Sequence, residues 1–184
     1  MITHENVQGW YDWQKLAQRL ITAQFPTQGV YIEVGVWLGK SLIDFGQLCK
    51  RFGKQPILYG VDLFGGKQDD QHMDRIVEAQ GGSFFGKTQK NLLDAQVVAS
   101  LIRGDSVEAA SQFKDGYADI ILIDALHTYD AVKRDTLAWM PKLKKGGFML
   151  WHDSDREEVK RAIRESWGED FKVEGPRTGY ARKV

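Results

Sequence analysis

Glu33, Asp62, Asp105, Asp124 and Asp153 each stand at or just beyond the end of a short apolar run. One acid in such a place is commonly a turn residue or a helix N-cap. Five of them along one edge form an acidic rim, which suits a cationic ligand, a hydroxyl-rich ligand or a metal ion. Two histidines share the rim: His127 lies three residues beyond Asp124, and His152 directly precedes Asp153. If the runs carrying Asp124 and Asp153 are neighbours, Asp124, His152 and Asp153 could hold a divalent cation. An imidazole is less suited to magnesium, which prefers oxygen ligands, than to manganese or iron. The competing reading is a capping box, Ser154-x-x-Glu157, with His152 and Asp153 merely leading into a helix.

The first turn, Glu33-Val34-Gly35-Val36-Trp37-Leu38-Gly39-Lys40-Ser41, places Gly35 and Gly39 where a backbone can turn tightly and approach a ligand. A dinucleotide fingerprint needs Gly-x-Gly-x-x-Gly, and Trp37 occupies its second glycine, so a nicotinamide dehydrogenase is disfavoured. A phosphate loop ending in Gly39-Lys40-Ser41 needs a further glycine where Val34 stands, so that match fails too.

These residues need a scaffold. Trp10, Trp13, Leu16, Ala17, Leu20 and Ile21 recur at helical spacing, and Phe25 to Gly29 breaks the pattern. Apolar runs at Val30 to Val34, Pro56 to Val61, Val97 to Ile102, Ala118 to Ile123 and Phe148 to Trp151 then read as five strands. Helical patterns near 41–52, 88–95, 107–113 and 131–143 separate them, and Lys145-Gly146-Gly147 reads as the break before the fifth. Strands apolar throughout are covered on both faces, and intervening helices imply right-handed crossovers and parallel pairing. After a helix near 156–167, Phe171 to Val173 and Gly179 to Ala181 read as a hairpin around Pro176. The expected fold class is α/β: a doubly wound, mostly parallel Rossmann-like sheet with an antiparallel C-terminal hairpin strand. Residues 1–184 read as a single domain, with an N-terminal helical segment (1–28) and a core (30–184). Ligands of such sheets bind beyond the carboxyl ends of the strands, where the acids stand.

Composition narrows the partners. Lys plus Arg total 25, Asp plus Glu total 25, and the net charge is zero, which disfavours a general nucleic-acid binder. The neutral total conceals an acidic middle, because residues 60–130 sum to −6. Neither a membrane-spanning run nor a signal peptide is evident, and one cysteine, Cys49, excludes an internal disulfide and fits a reducing cytoplasm. Exposed aromatics on the N-terminal helix would suit a homodimer contact. Phe64 to Lys87, with Asp69, Asp70, Gln71, His72, Gly81, Gly82, Phe84 and Phe85, reads as a mobile cover over the site, or else a solvated connection with a short helix near 73–79.

EVGVWLGKS resembles the first motif of class I S-adenosylmethionine-dependent methyltransferases, E-x-G-x-x-x-G-x-S. DIILIDALHTYDAVKRDTLAWMPKLKKGGFMLWHD is similar to a small-molecule O-methyltransferase subfamily with an I-D-x-x-H-x-Y signature, a later Gly-Gly and a closing His-Asp. The resemblance spans about Val30 to Asp153. It implies methyl transfer to a small-molecule hydroxyl; a non-catalytic cofactor-binding or scaffold protein is the alternative. It also implies that Glu33, Gly35, Trp37, Gly39 and Ser41 serve the methionine part of the cofactor and Asp62 its ribose hydroxyls. Asp105 and Ser106 would lie by the adenine, unless they cap the next helix. His127 would be the general base, as a basic residue is in catechol-type relatives, with Tyr129 shaping the pocket. Asp124 would serve cofactor and chemistry, and with His152 and Asp153 could hold magnesium or manganese. Leu126 stands where the family often has an acid, which lowers the charge available to a metal.

Overall fold

The computed structural model describes residues 2–65, 71–79 and 81–184. Five parallel strands form the body of the sheet: β1 (Val30–Val34), β2 (Ile57–Asp62), β3 (Ser100–Arg103), β4 (Ala118–Ile123) and β5 (Leu143–Trp151). A hairpin of β6 (Lys172–Glu174) and β7 (Thr178–Arg182) adds antiparallel to β5, giving the order β3-β2-β1-β4-β5-β7-β6. The helices are α1 (Gln14–Ala23), α2 (Lys40–Arg51), α3 (Gln71–Ala79), α4 (Phe85–Asp94), α5 (Ser106–Ala110), α6 (Tyr129–Trp139) and α7 (Glu157–Ser166). The expected fold class is the one observed.

Continuous apolar strands follow from two cores. Tyr31, Ile120 and Leu122 face α1 and α2, while Ile32, Ile121 and Ile123 face α6 and α7. Because successive side chains point to opposite faces, a strand covered on both sides has no polar positions to alternate. Tyr31 stacks on Phe45, with ring centroids 4.0 Å apart, and joins α2 to the sheet.

Three local expectations are corrected. The first helix begins at Gln14, not Trp10, because Trp13 is drawn into the core beside Tyr31 and Phe45 while Trp10 stays 57% exposed. The segment ahead of it is tied to α2 by buried Asp44, which accepts from Tyr11 Oη at 2.5 Å and Gln14 Nε2 at 2.8 Å and pairs with His4 Nδ1 at 2.8 Å. Gly146-Gly147 does not end a turn before β5; it lies inside the strand, where the register to β4 shifts. Gly146 has φ +82°, and a Cβ at Gly147 would come within 2.8 Å of the Asp119 carbonyl, so a bulge there requires both glycines. Ser154 does not cap α7, whose N-cap is Arg156; its N–H and hydroxyl both donate to the Arg177 carbonyl, fastening the hairpin to the end of β5.

The proposed cover is corrected at its C-terminal end. Phe84 is buried against Trp37 and Phe64, with centroids 4.6 and 5.7 Å away, so it is core. Asp69 and Asp70 lie outside the described residues, as do the side chains of Gln71 and His72. Cys49 is buried, and burial pushes its thiol up to about 12, so it serves packing. Among the described residues no helix is long and apolar enough to cross a membrane.

Candidate functional site

β1 lies between β2 and β4, and the chain leaves it toward β2 on one side and reaches β4 on the other. This is the switch point at which open α/β sheets open a crevice. Gly35, with φ +89°, enters the crevice between the two neighbours: its N–H donates to the Val61 carbonyl at 2.8 Å, and a Cβ there would come within 2.0 Å of the Asp124 carbonyl oxygen. Only glycine lets the three strand ends meet so closely.

Asp62 clamps this turn. Its Oδ2 accepts from the N–H groups of Val36 at 2.8 Å and Trp37 at 2.9 Å, and its Oδ1 accepts from the Phe64 N–H at 2.7 Å. Burial pushes its pKa up, and the three N–H donors oppose that. Oδ1 carries one of these bonds and keeps acceptor capacity, whereas Oδ2 is filled by two. The expected acceptance of two ribose hydroxyls, one per oxygen, thus meets an oxygen already engaged by the loop.

Glu33 is fully buried and does not border the cavity. Its carboxylate accepts from Ser41 Oγ at 2.6 Å and Tyr31 Oη at 2.7 Å. Burial pushes its pKa up to about 8, against the pull of those two hydroxyls. Glu33 therefore reaches a ligand through Ser41, which does line the cavity. Gly39, with φ +86°, caps α2 behind the same wall. The Trp37 Nε1 is buried beside the cavity without a hydrogen-bond partner among the described residues.

At the end of β3 Asp105 is the N-cap of α5, accepting from Val107 N–H at 2.9 Å and Glu108 N–H at 3.3 Å. Those donors and Arg134 hold its pKa down against the opposing effect of burial. Ser106 is the first residue of the helix, not its cap; its hydroxyl donates to Asp135 at 2.7 Å and accepts from Trp139 Nε1 at 3.1 Å, locking α5 to α6. Both still line the cavity, with their side chains engaged by the protein.

The ends of β4 and β5 supply the densest cluster. His127 Nε2 lies 3.3 Å from Asp124 Oδ1 and 3.3 Å from Asp153 Oδ2. His152 Nδ1 lies 3.2 Å from Asp124 Oδ1, and its Nε2 lies 3.3 Å from Asp12 Oδ1. Asp153, at φ +52°, pairs with Arg177 Nη1 at 3.0 Å. Burial works to lower both histidine pKa values, but the surrounding carboxylates win: His127 is raised, and His152 is raised to about 9. Burial would raise Asp124, yet the two histidines hold it below the usual range.

Donor atoms of Asp124, His127 and His152 lie within 4.8 Å of one another. Two imidazoles and one carboxylate fit a transition-series divalent cation such as manganese, and fit magnesium poorly. Sequence reading named His152, Asp124 and Asp153 as the metal set and His127 as a separate base; the structure merges the two. The same His127 nitrogen faces both carboxylates, so it cannot ligate a cation and accept a proton at once.

Sequence reasoning missed Asp12 and Arg177, which come to the cluster from the N-terminal segment and the β6–β7 turn and carry no local motif. Tyr31 was legible in principle, since it lies two residues from Glu33 on one face of β1. Tyr129 does not border the cavity; its hydroxyl binds Glu165 on α7.

A cavity of about 420 Å³ joins these groups, bordered by Gly35, Trp37, Ser41 and Asp62 at one end and Asp124, His127, His152 and Asp153 at the other. That volume is within the range of small-molecule sites.

The chain resembles known proteins along most of its length. The O-methyltransferase NovP superposes with a TM-score of 0.69 at 13% identity, covering 93% of this chain and 77% of NovP. The calicheamicin methyltransferase CalS11 superposes with a TM-score of 0.63 at 23% identity, covering 92% of this chain and 76% of CalS11. At these identities the likeness is one of fold. The uncharacterized protein y4gI of Sinorhizobium fredii (strain NBRC 101917 / NGR234) is 32% identical over 138 residues, which are 75% of this chain; the chain spans only 14% of that relative's length. Residues 32–154 match the profile of a methyltransferase domain, and the chain belongs to that family.

Proposed function

We propose that the protein transfers the methyl group of S-adenosylmethionine to a hydroxyl of a small molecule. The observation that carries this reading is the single cavity joining the β1 turn and Asp62 to the Asp124–His127–His152 cluster. One end suits a cofactor and the other suits deprotonation of a hydroxyl. NovP and CalS11, of the same fold, are described as an O-methyltransferase and a calicheamicin methyltransferase.

Methyl transfer is an in-line displacement at a sulfonium carbon, and holding nucleophile and methyl in line supplies much of the rate. Asp62 and the β1 turn are bound to each other, so cofactor contacts on either fix both. The orphaned Trp37 Nε1 is a donor for the cofactor's carboxylate, and Ser41, backed by Glu33, faces the same end.

At the acceptor end His127 Nε2 holds a proton between Asp124 and Asp153, and accepts one from a substrate only above its raised pKa. A divalent cation on Asp124, His127 and His152 would supply the alternative, lowering the pKa of a hydroxyl bound to it. Asp153, tied to Arg177, keeps the cluster's remaining carboxylate oriented.

The test is calorimetry with S-adenosylmethionine and S-adenosylhomocysteine, followed by transfer of labelled methyl from the cofactor to a panel of hydroxyl compounds. Binding of both and transfer to oxygen are expected. Absence of binding would sink the reading, and binding without transfer that His127→Ala alters would favour a cofactor-binding scaffold.

A further inference from the structure

Resting on that function, we infer that the methyl acceptor carries a compact anionic group, a carboxylate or a phosphate, received by Arg156 at the cavity mouth with Trp10 walling the acceptor's flat part. The argument begins with pairing. Arg134 lies 3.1 Å from Asp105 and 3.5 Å from Asp135, and Arg177 lies 3.0 Å from Asp153 and 3.4 Å from Asp12, so acids in or beside the wall neutralise both. Asp124 is matched by the two histidines, and Asp62 by three backbone N–H groups. Two cations in the wall then have no carboxylate partner among the described residues: Lys40, whose Nζ donates to the Val7 carbonyl at 3.0 Å, and Arg156.

Their positions separate them. Lys40 opens α2, next to Ser41, at the end assigned to the cofactor. Arg156 belongs to the turn after β5, and its N–H donates to the Asp153 carbonyl at 3.0 Å, so it is rooted in the acceptor end. A guanidinium presents a fork of donors that matches carboxylate or phosphate oxygens.

Trp10 and Leu126 add exposed apolar surface to the cavity wall, 57% and 45% exposed, and the chain carrying Trp10 runs from Gly9, beside Lys40, to Asp12, beside His152. The chain around Trp10 is anchored on both sides. A Cβ at Gly9 would lie 3.5 Å from the Lys40 Cβ, and Asp12 is held by Arg177. An indole so placed offers a ring face for a flat ligand.

The experiment uses the full chain saturated with S-adenosylhomocysteine and two matched pairs: catechol with 3,4-dihydroxybenzoate, and pyridoxine with pyridoxine 5′-phosphate. Calorimetry is expected to show the charged member of at least one pair binding about tenfold tighter or more, the size of one charge-assisted hydrogen bond. Which pair responds distinguishes carboxylate from phosphate. Arg156→Gln should bring that pair within about twofold and Arg156→Lys should keep part of the preference, since a lysine retains the charge without the fork. Trp10→Ala should weaken charged and neutral members alike. Among the described residues Arg156 makes no side-chain bond, so the two Arg156 variants are expected to melt as the wild type does. Equal binding within both pairs, a preference that survives Arg156→Gln, or no binding of any of the four compounds overturns the inference while leaving methyl transfer intact. Failure to bind S-adenosylhomocysteine overturns both.

Discussion

Asp12 Oδ1 lies 3.3 Å from His152 Nε2, and Thr178 Oγ1 donates to the same oxygen at 3.2 Å. A carboxylate from the N-terminal segment, steadied by the C-terminal hairpin, thus faces the outer nitrogen of a histidine whose inner nitrogen faces Asp124. Both supporting elements lie outside residues 32–154, which the family match covers. Such outer partners fix the orientation of an imidazole that serves a site.

Asp12→Asn should therefore lower the His152 titration midpoint from about 9, read by imidazole NMR. The sign for stability follows. A histidine raised above its ordinary 6.5 stabilises the fold fully below that pH and loses the contribution as pH rises through about 9. The melting-temperature gap between wild type and Asp12→Asn is expected to be widest below about pH 6.5 and to close by about pH 9. A gap independent of pH would show that Asp12 does not act through His152.

Asp62→Ala removes the acceptor of three backbone N–H groups as well as a cavity carboxylate. We expect about 1–3 kcal/mol of lost stability. S-adenosylhomocysteine affinity should fall by at least about tenfold. Thermal melts and calorimetry check the two effects separately, and unchanged affinity would remove Asp62 from the cofactor end.

Glu33 gives the opposite pH signature to an ordinary surface acid. With its pKa raised from 4.5 to about 8, the folded state holds a proton that the unfolded chain releases, so stability contributed by Glu33 is present below about 4.5 and lost as pH rises through about 8. Glu33→Gln is expected to gain on the wild type as pH climbs from 5 to 8.5, measured by denaturant midpoints. Parallel curves would mean that Glu33 ionises in the fold as freely as in the open chain.

Manganese or cobalt added to the protein should bind more tightly at pH 8 than at pH 6, because His127 and His152 must both surrender raised-pKa protons to become ligands. Calorimetry in buffers of different ionisation enthalpy should show proton release, with magnesium binding more weakly and His127→Ala reducing manganese affinity. Magnesium binding as tight as manganese, without proton release, would contradict the donor set.

Much of this architecture was legible in order. Ala118 to Ile123 reads as a strand residue for residue, since five of its six positions are apolar and buried, across both faces of the sheet. The hairpin around Pro176 was equally plain. Boundaries failed where a long-range contact overrode local preference: Trp13 left the helical pattern for the ring cluster under α2, and Gly146-Gly147 became a bulge against Asp119 instead of a turn. Ser154, three residues before a glutamate, looked like a cap and serves the hairpin.

The sequence by itself determined the doubly covered sheet and the acidic edge, because strand periodicity and the residue following each strand are local properties. Tertiary structure alone decided which acids face a ligand. Glu33 withdrew behind Ser41, since both faces of β1 are buried, and Asp105 was taken by the first turn of α5. Asp12 and Arg177 entered because the N-terminal segment and hairpin pack over the end of β5, across 165 positions of chain that no spacing rule connects. Partners joined only by the folding of distant segments are set by packing of the whole core, and that is why they appear in the fold and not in the string.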